Sequence, residues 1–386
     1  MENNPTFAAA KNIVPMIASN VEQIASECSL PPALSKIMND AGLFRLYVPK
    51  ILGGPELDPI SAFYVVELIG KTDGSAGWCS FNGTALTSAV SRLSVEAAKE
   101  LFGDPPDVSA SGSARSSGTA KVVDGGYLVN GRWDYLSGID HAKCLFLTCT
   151  LTDDDGPVRN EDGSRVLRVV ALPISQGDIH VNWSTMGLKG TASNEASFVD
   201  AFVPESHTYK RTGQPFHENP LYNPSTSILC SWTLAAANAL GMARGAIETF
   251  MGLAQSASTN SAVLLRDRTS AQTTTGECEA ILQACRSYVL DAVGSMWNSQ
   301  LHKLDDLMDK AVQARLAITF AIRQSVEVVE KLFYAAGTSA IHDSNDLERY
   351  FRDLHVAGQH ISGLHSNYEY AGQVLLGASI TAPTYS

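Results

Sequence analysis

The chain has 386 residues, 45% hydrophobic and 18% charged, with a formal net charge of −12 and a pI of about 5.2. That length buries a sizeable core in two or three layers, and the composition is not that of a disordered chain. The acidic surface repels phosphate backbones and anionic lipid, and Lys and Arg are scattered with no basic stripe, so neither nucleic acid nor a membrane surface is an expected partner.

The first hundred residues read as helices. Val14 to Glu27 carries Ile17, Val21 and Ile24 at helical spacing, with Pro15 tolerable in the first turn, and Pro31-Pro32 opens a second helix through Met38. The stretch AGLFRLYVPKILGGPELDP breaks the pattern, because its Gly and Pro residues do not fit inside one helix. Periodicity resumes over Ile60–Ile69, a further helix is expected after Asp73-Gly74-Ser75, and Ser94–Leu101 makes a short one.

Near Pro105 the period changes to two and holds from Ser109 to about Val203, through AKVVDGGYLVNGRWDYLSG, AKCLFLTCTLT, RVLRVVALPI, HVNWSTMG and ASFVDAFVPE. Asp124-Gly125-Gly126 signals a hairpin turn and Asn130-Gly131 a second, while Asp153–Gly163 reads as a polar loop. After Pro224 the helical period returns. Ser225–Ala254 is long and rich in Ala and Gly, which permits close helix approach, and Ser258–Gly276 reads as a loop with a short helix. Glu277–Asn298, Lys303–Gly337 and Leu347–Leu376 supply three more segments, so the C-terminal part suits a four-helix bundle. The fold class expected is α+β: a helical part over residues 1–106, a middle β part over 107–215 built as a small barrel or two packed sheets, and a helical bundle over 216–386.

No run of about 18 uncharged apolar residues occurs, and the N-terminus lacks the basic and apolar regions of a signal peptide, so a soluble, cytoplasmic protein is expected. The seven cysteines form no CxxC pair and read as small buried residues, although Cys278 and Cys285 fall on one helical face. The histidines form no HxH or HExxH spacing, so no metal site is expected. GxSxG is absent, and the GxG-like stretches lack a strand–loop–helix setting, which argues against a serine hydrolase and against tight NAD(P)H binding by this chain.

Four segments together resemble the acyl-CoA dehydrogenase superfamily over nearly the whole chain. They are AGLFRLYVPKILGGPELDP followed by DGSAGWCSF, GGYLVNGRWDYLSGIDHAKCLFL, MGLKGTASNEASFVDAFVPE, and FYAAGTSAIHDSNDLERYFRDLHVAGQH. The likeness is greatest to the oxygenase components of two-component flavin-dependent monooxygenases. It implies a reduced flavin, FMN or FAD, delivered by a separate NAD(P)H-dependent flavin reductase. O2 then forms a C4a-hydroperoxyflavin, which oxygenates a small aromatic or heteroatom-containing organic substrate. A homotetramer is the family's usual state.

The resemblance also implies site residues. Ser137 occupies the family's position for a hydroxyl beside flavin N5, and Trp133 and Tyr135 would wall the ring. As bare residues, Trp133 reads equally as core and Ser137 as a turn residue. Ser111 and Ser113 stand where contacts to the flavin pyrimidine and phosphate begin, although ASGSARSSGTA alone could be a flexible loop, and Gly337 and Thr338 fall in the C-terminal flavin segment. Trp78 and Thr191 would approach substrate.

The dehydrogenases place a catalytic Glu about nine residues beyond the Arg of an RD pair. Here that position, counted from Arg352-Asp353, is Ile361, which cannot take a proton. His360 beside it matches a monooxygenase histidine, and it would orient substrate or donate a proton there. His355 and His365, five residues away on either side, would face elsewhere on a helix. Phenol hydroxylases of the group carry another His downstream of SAGW, which GWCSFNGTALTSAV lacks; this leaves room for a heteroatom, indole or polycyclic substrate. Two alternatives stay open: a dehydrogenase or flavin oxidase with its base at Glu248 or Glu369, and a member that has lost catalysis.

Overall fold

The computed structural model describes residues 4–211, 213–255, 263–342 and 345–382. The chain runs helical, β, helical. Six helices come first: α1 (Pro5–Ser19), α2 (Val21–Glu27), α3 (Pro32–Asp40), α4 (Pro59–Thr72), α5 (Gly74–Thr87) and α6 (Val95–Phe102). Caps set several of these starts: the Asn4 side chain accepts from Thr6 and Phe7 N–H, Asp58 from Ile60 and Ser61, and Asp73 from Ala76. The first expected helix therefore begins nine residues early, at Pro5, with Pro15 inside it, and it breaks at Asn20.

The β part is β1 (Ala110–Val123), β2 (Gly126–Trp133), β3 (Cys144–Asp153), β4 (Gly156–Pro157), β5 (Leu167–Pro173), β6 (Asp178–His180), β7 (Glu195–Pro204) and β8 (Thr208–Lys210). These form one hydrogen-bonded sheet in the order β6-β7-β2-β1-β3-β5-β8, with β4 paired to β3. The first hairpin turn falls where expected, with Val123 opposite Gly126 and Gly125 at φ +74°. Asn130-Gly131 is no turn. It lies within β2 at a bulge against β7, and a Cβ at Gly131 would fall 2.5 Å from Gly118 Cα and 2.8 Å from the Trp133 ring. HVNWSTMG is mostly loop, since only its His180 belongs to a strand.

Strand β3 shows why its run is almost continuously apolar. Leu145, Leu147 and Cys149 point into a core with Val129, Trp133, Leu172 and Phe198, while Cys144 and Phe146 point the other way onto Val48, Leu93, Ala98 and Phe102 of the N-terminal part. Both faces are covered, so neither side needs polar residues.

The C-terminal helices are α7 (Ser227–Leu253), α8 (Thr269–Leu301), α9 (Leu307–Ala336), α10 (Asp346–Ala357) and α11 (Ser366–Leu375). Part of the expected loop at 258–276 lies outside the described residues, and from Thr269 it is already helix. Helices α7, α8 and α9 pack together, and α4 lies along α7 to complete the layer, so both helical parts share one core. The small residues of α7 make that approach feasible: a Cβ at Gly241 would lie 2.3 Å from the Glu67 carbonyl oxygen. Cys278 and Cys285 are buried in this core. The last expected helix is two, α10 and α11, separated by a hinge over 358–365 that contains His360. None of the described helices is long and apolar enough to cross a membrane.

Candidate functional site

Four segments meet where the sheet touches the helices. Helix α5 presents Trp78. The turn after β2 presents Ser137, following Tyr135 at φ +58°, a left-handed conformation rare for an aromatic residue. The loop before β7 presents Thr191 and Ser193, and the hinge after α10 presents His360. Backbone bonds lock the second and third segments together: Gly138 N–H donates to the Thr191 carbonyl at 2.8 Å, and Leu136 N–H to the Asn194 carbonyl at 3.2 Å.

The side chains form one chain of hydrogen bonds whose direction can be worked out. Thr191 Oγ1 donates to the Leu188 carbonyl at 2.9 Å, so towards Ser193 Oγ, 2.7 Å away, it must accept. Ser193 has then spent its proton and accepts from Ser137 Oγ, also at 2.7 Å. Ser137 in turn accepts from Trp78 Nε1–H at 3.2 Å. The order Trp78 → Ser137 → Ser193 → Thr191 → Leu188 leaves Ser137 Oγ with its only proton committed and one lone pair free. All four of these side chains are buried, so each link strengthens the next. Ser111 adds support from β1, donating to the Ser137 carbonyl at 2.9 Å.

His360 closes the site. Its ring meets Trp78 and Phe81 edge-on, at centroid distances of 5.3 and 5.6 Å. Nδ1 accepts from Ser362 N–H at 3.3 Å as the cap of a short 3-10 turn, with Ser362 Oγ at 2.7 Å. The acceptor role at Nδ1 puts the proton of the neutral ring on Nε2. Burial pulls the imidazole down to about 4, so the ring is neutral near pH 7.

A buried ion network holds these segments in place. Asp73, the cap of α5, pairs with Arg349 of α10 at 3.1 Å. Asp353 of α10 accepts from Leu188 N–H at 2.6 Å, and Arg352 donates to the Met186 carbonyl at 2.6 Å, which pins the loop carrying Thr191 and Ser193. Burial first, and then the Asp73 charge, push the Asp353 carboxyl up to about 6. The Arg352-Asp353 pair is thus a positioning device, since Arg352 is otherwise bound bidentately by Glu348.

Of the residues singled out in the sequence, Trp78, Ser111, Ser137, Thr191 and His360 come together here. Ser113 is buried two residues further along β1, where Oγ accepts from Arg115 N–H. Trp133 does not line the site. It is 0% exposed inside the sheet core, with Nε1–H donating to the Thr148 carbonyl at 3.0 Å, so no face is left for a ligand ring. Tyr135 is 59% exposed, with the Arg115 guanidinium 5.4 Å above its ring and Trp183 edge-on at 6.1 Å. Gly337 and Thr338 lie exposed in the 3-10 turn at the end of α9. His360 is not helical, so helical spacing does not place His355 and His365; His355 bonds the Phe351 carbonyl and Glu330 instead.

Ser193 belongs to the MGLKGTASNEA segment that carries the resemblance, beside Thr191, whereas Phe81, Ser362, Trp183 and Arg115 were not among the assigned residues. Nothing in their local patterns signals a site, because only the fold brings their segments together. The two dehydrogenase-base candidates are both exposed and engaged elsewhere: Glu248 pairs with Lys71 at 2.7 Å, and Glu369 contacts Gln373 on α11. No group of three or more His, Cys, Asp or Glu among the described residues could hold a metal. A cavity of about 270 Å³ borders the same turn at Asp140 and His141.

The sequence matches the family models for the acyl-CoA dehydrogenase N-terminal domain over residues 8–103 and C-terminal domain over 233–363. It is 30% identical to the indole-3-acetate monooxygenase of Pseudomonas putida over 337 residues, 87% of this chain and 84% of that one. The chain belongs to the acyl-CoA dehydrogenase superfamily. Within it, the relatives are flavin-dependent monooxygenases. The oxygenase subunit HsaA of Mycobacterium tuberculosis is 27% identical over 365 residues, covering 92% of this chain and 90% of that subunit. Among solved structures, the 3-HSA hydroxylase from Rhodococcus sp. RHA1 superimposes with a TM-score of 0.89 at 24% identity and full coverage of both chains, a likeness of fold.

The residues present fit the flavin this superfamily uses. The free lone pair of Ser137 Oγ, held in place by the Trp78 N–H and the Ser193–Thr191 hydroxyls, suits the polar edge of an isoalloxazine. The exposed Tyr135 ring and the half-buried Trp183 ring offer aromatic surface beside the Arg115 cation.

Proposed function

We propose that this chain is the oxygenase component that receives reduced FMN or FAD from a separate NAD(P)H-dependent reductase and uses O2 to oxygenate a small aromatic or heteroatom-containing organic molecule. The observation that carries this reading is the direction of the hydroxyl chain. Ser137 Oγ has spent its proton on Ser193 and has only a lone pair to offer. Reduced flavin carries a proton on N5 and oxidised flavin does not, so a site of this polarity accepts from the reduced form and offers nothing to the oxidised one. Bound reduced, the flavin supplies the electrons that activate O2, one atom going to substrate and the other leaving as water.

The chain's own residues do the rest. Ser137 holds the N5 edge, and Trp78 N–H with Ser193 keeps Ser137 oriented. His360, neutral and protonated on Nε2, has that N–H to donate as a hydrogen bond, with which it orients substrate or steadies the departing oxygen. Trp78 and Phe81 exclude water around it, which limits wasteful release of peroxide. The lack of a carboxylate at Ile361 or elsewhere in the cluster supports oxygenation over α-proton abstraction. Assembly as a homotetramer in the cytoplasm belongs to the same reading.

Anaerobic titration with oxidised and with dithionite-reduced FMN and FAD tests it. The reduced form of one flavin is expected to bind at least about tenfold tighter than its oxidised form, roughly the worth of one buried hydrogen bond. Ser193→Ala returns the Ser137 proton to general use and is expected to narrow that gap. Equal affinity for both redox forms in the parent protein contradicts the proposal.

A further inference from the structure

We infer that Asp353 is a positioning residue for the flavin site: through the Leu188 peptide it sets both the hydroxyl chain that selects reduced flavin and the aromatic wall beside that chain. The first half of this rests on the oxygenase reading above. Leu188 is buried and stands at φ +49°, a left-handed backbone that a leucine keeps only where its surroundings hold it. Helix α10 holds three successive residues there. Arg352 donates to the Met186 carbonyl at 2.6 Å, Gly187 lies so close that a Cβ on it would fall 2.2 Å from the Arg352 carbonyl oxygen, and Asp353 accepts from Leu188 N–H at 2.6 Å. The carbonyl of the same leucine serves two side chains of the site. Thr191 Oγ1 donates to it at 2.9 Å and Trp183 Nε1–H at 3.0 Å.

Those two donors lead to the two halves of the site. Thr191 gives its proton to Leu188 and so accepts from Ser193, which fixes the polarity that ends at Ser137. Trp183, tied by its indole N–H, stands edge-on to Tyr135 at 6.1 Å and completes the aromatic surface. Without an acceptor at Asp353, the Leu188 N–H is left buried and unpaired, and the residue relaxes towards an ordinary negative φ. That rotation about N–Cα carries the carbonyl away from both donors. Thr191 is then able to donate to Ser193, the chain reverses, and Ser137 gains a proton to offer, which suits the oxidised ring instead. What the Leu188 N–H requires is an oxygen at this place: an amide supplies one as a carboxylate does, and a methyl group does not.

Two readouts on the full chain test this. The first is anaerobic titration with oxidised and with dithionite-reduced FMN and FAD. Asp353→Asn keeps the acceptor oxygen and is expected to hold the preference for the reduced form within about twofold of the parent, whereas Asp353→Ala brings a preference of about tenfold close to none. A merely structural residue would weaken both redox forms alike and leave their ratio unchanged. The second readout needs no flavin. In protein labelled with fluorotryptophan, the fluorine resonance of Trp183, assigned from Trp183→Phe, is expected to shift in Asp353→Ala and to keep its place in Asp353→Asn. If circular dichroism shows that Asp353→Ala does not fold, Asp353→Glu replaces it with the same expectations, since it keeps a charge beside Arg349 but displaces the acceptor by a methylene. An unmoved Trp183 resonance, or a redox preference that stays at the parent's value, in the Ala or Glu variant overturns the inference, as does an Asn variant that behaves like them. Equal affinity for both redox forms in the parent rejects the oxygenase reading instead, and the Trp183 resonance then decides the role of Asp353 by itself.

Discussion

Replacing His360 with Asn removes a titrating ring while keeping a capping oxygen near the place of Nδ1, and the consequence for stability can be worked out. An unfolded chain has its histidine near the ordinary value of about 6.5. In the folded protein the ring is held down to about 4, because the Trp78 and Phe81 rings enclose it and no carboxylate compensates the charged form. Between those two values the unfolded chain binds a proton that the folded one does not, so stability falls as the pH drops through the window. At pH 5 the deficit from this one ring is about 2 kcal/mol relative to pH 7. Urea denaturation of the parent protein and of His360→Asn at both pH values isolates it, because every other titrating group is common to the two. The variant is expected to lose about 2 kcal/mol less on going from pH 7 to 5. An identical loss in both proteins would refute the desolvated, neutral His360 on which the proposed hydrogen-bond donation depends.

Other outcomes follow from the same geometry. Gly187→Ala places a Cβ 2.2 Å from the Arg352 carbonyl oxygen, so the loop must part from α10 by roughly an ångström. A loss of about 2–3 kcal/mol by thermal denaturation is expected, with weaker flavin binding because Thr191 and Ser193 move with the loop. Trp133→Phe removes the bond to Thr148 and opens a gap in the sheet core, costing about 1–3 kcal/mol, yet it should leave flavin affinity unchanged. Tyr135→Ala should do the reverse, lowering flavin affinity with little change in melting temperature, because its ring is largely exposed.

The contrast between Trp133 and Tyr135 shows where the sequence could be read and where it could not. Alternation along GRWDY places the two on the same side of an extended strand. The strand stops at Trp133, and the left-handed Tyr135 swings its ring outwards, a backbone event with no glycine to announce it. The helical, β, helical order was legible because the hydrophobic period changes sharply near Pro105 and again after Pro224. The break at 358–365 was not, because two isolated glycines, Gly358 and Gly363, and a Gln-His pair are compatible with a continuing helix, and the cap His360 supplies to Ser362 is visible only in three dimensions. Ser193 lies in the glycine-containing stretch MGLKGTASNEA. Its role as the link that fixes the direction of the hydroxyl chain needed the Leu188 carbonyl, which sits beneath Thr191 because Asp353, 165 residues away, holds the Leu188 N–H. Such long-range bonds leave no local pattern.

The most direct test of the central claim is to mix the anaerobic complex of this protein and reduced flavin with oxygenated buffer in a stopped-flow spectrophotometer. The account predicts a transient near-ultraviolet band that precedes the return of the oxidised-flavin spectrum and is shorter-lived in Ser137→Ala. Direct appearance of oxidised flavin, at the rate seen without protein and unaltered by the substitution, would contradict it.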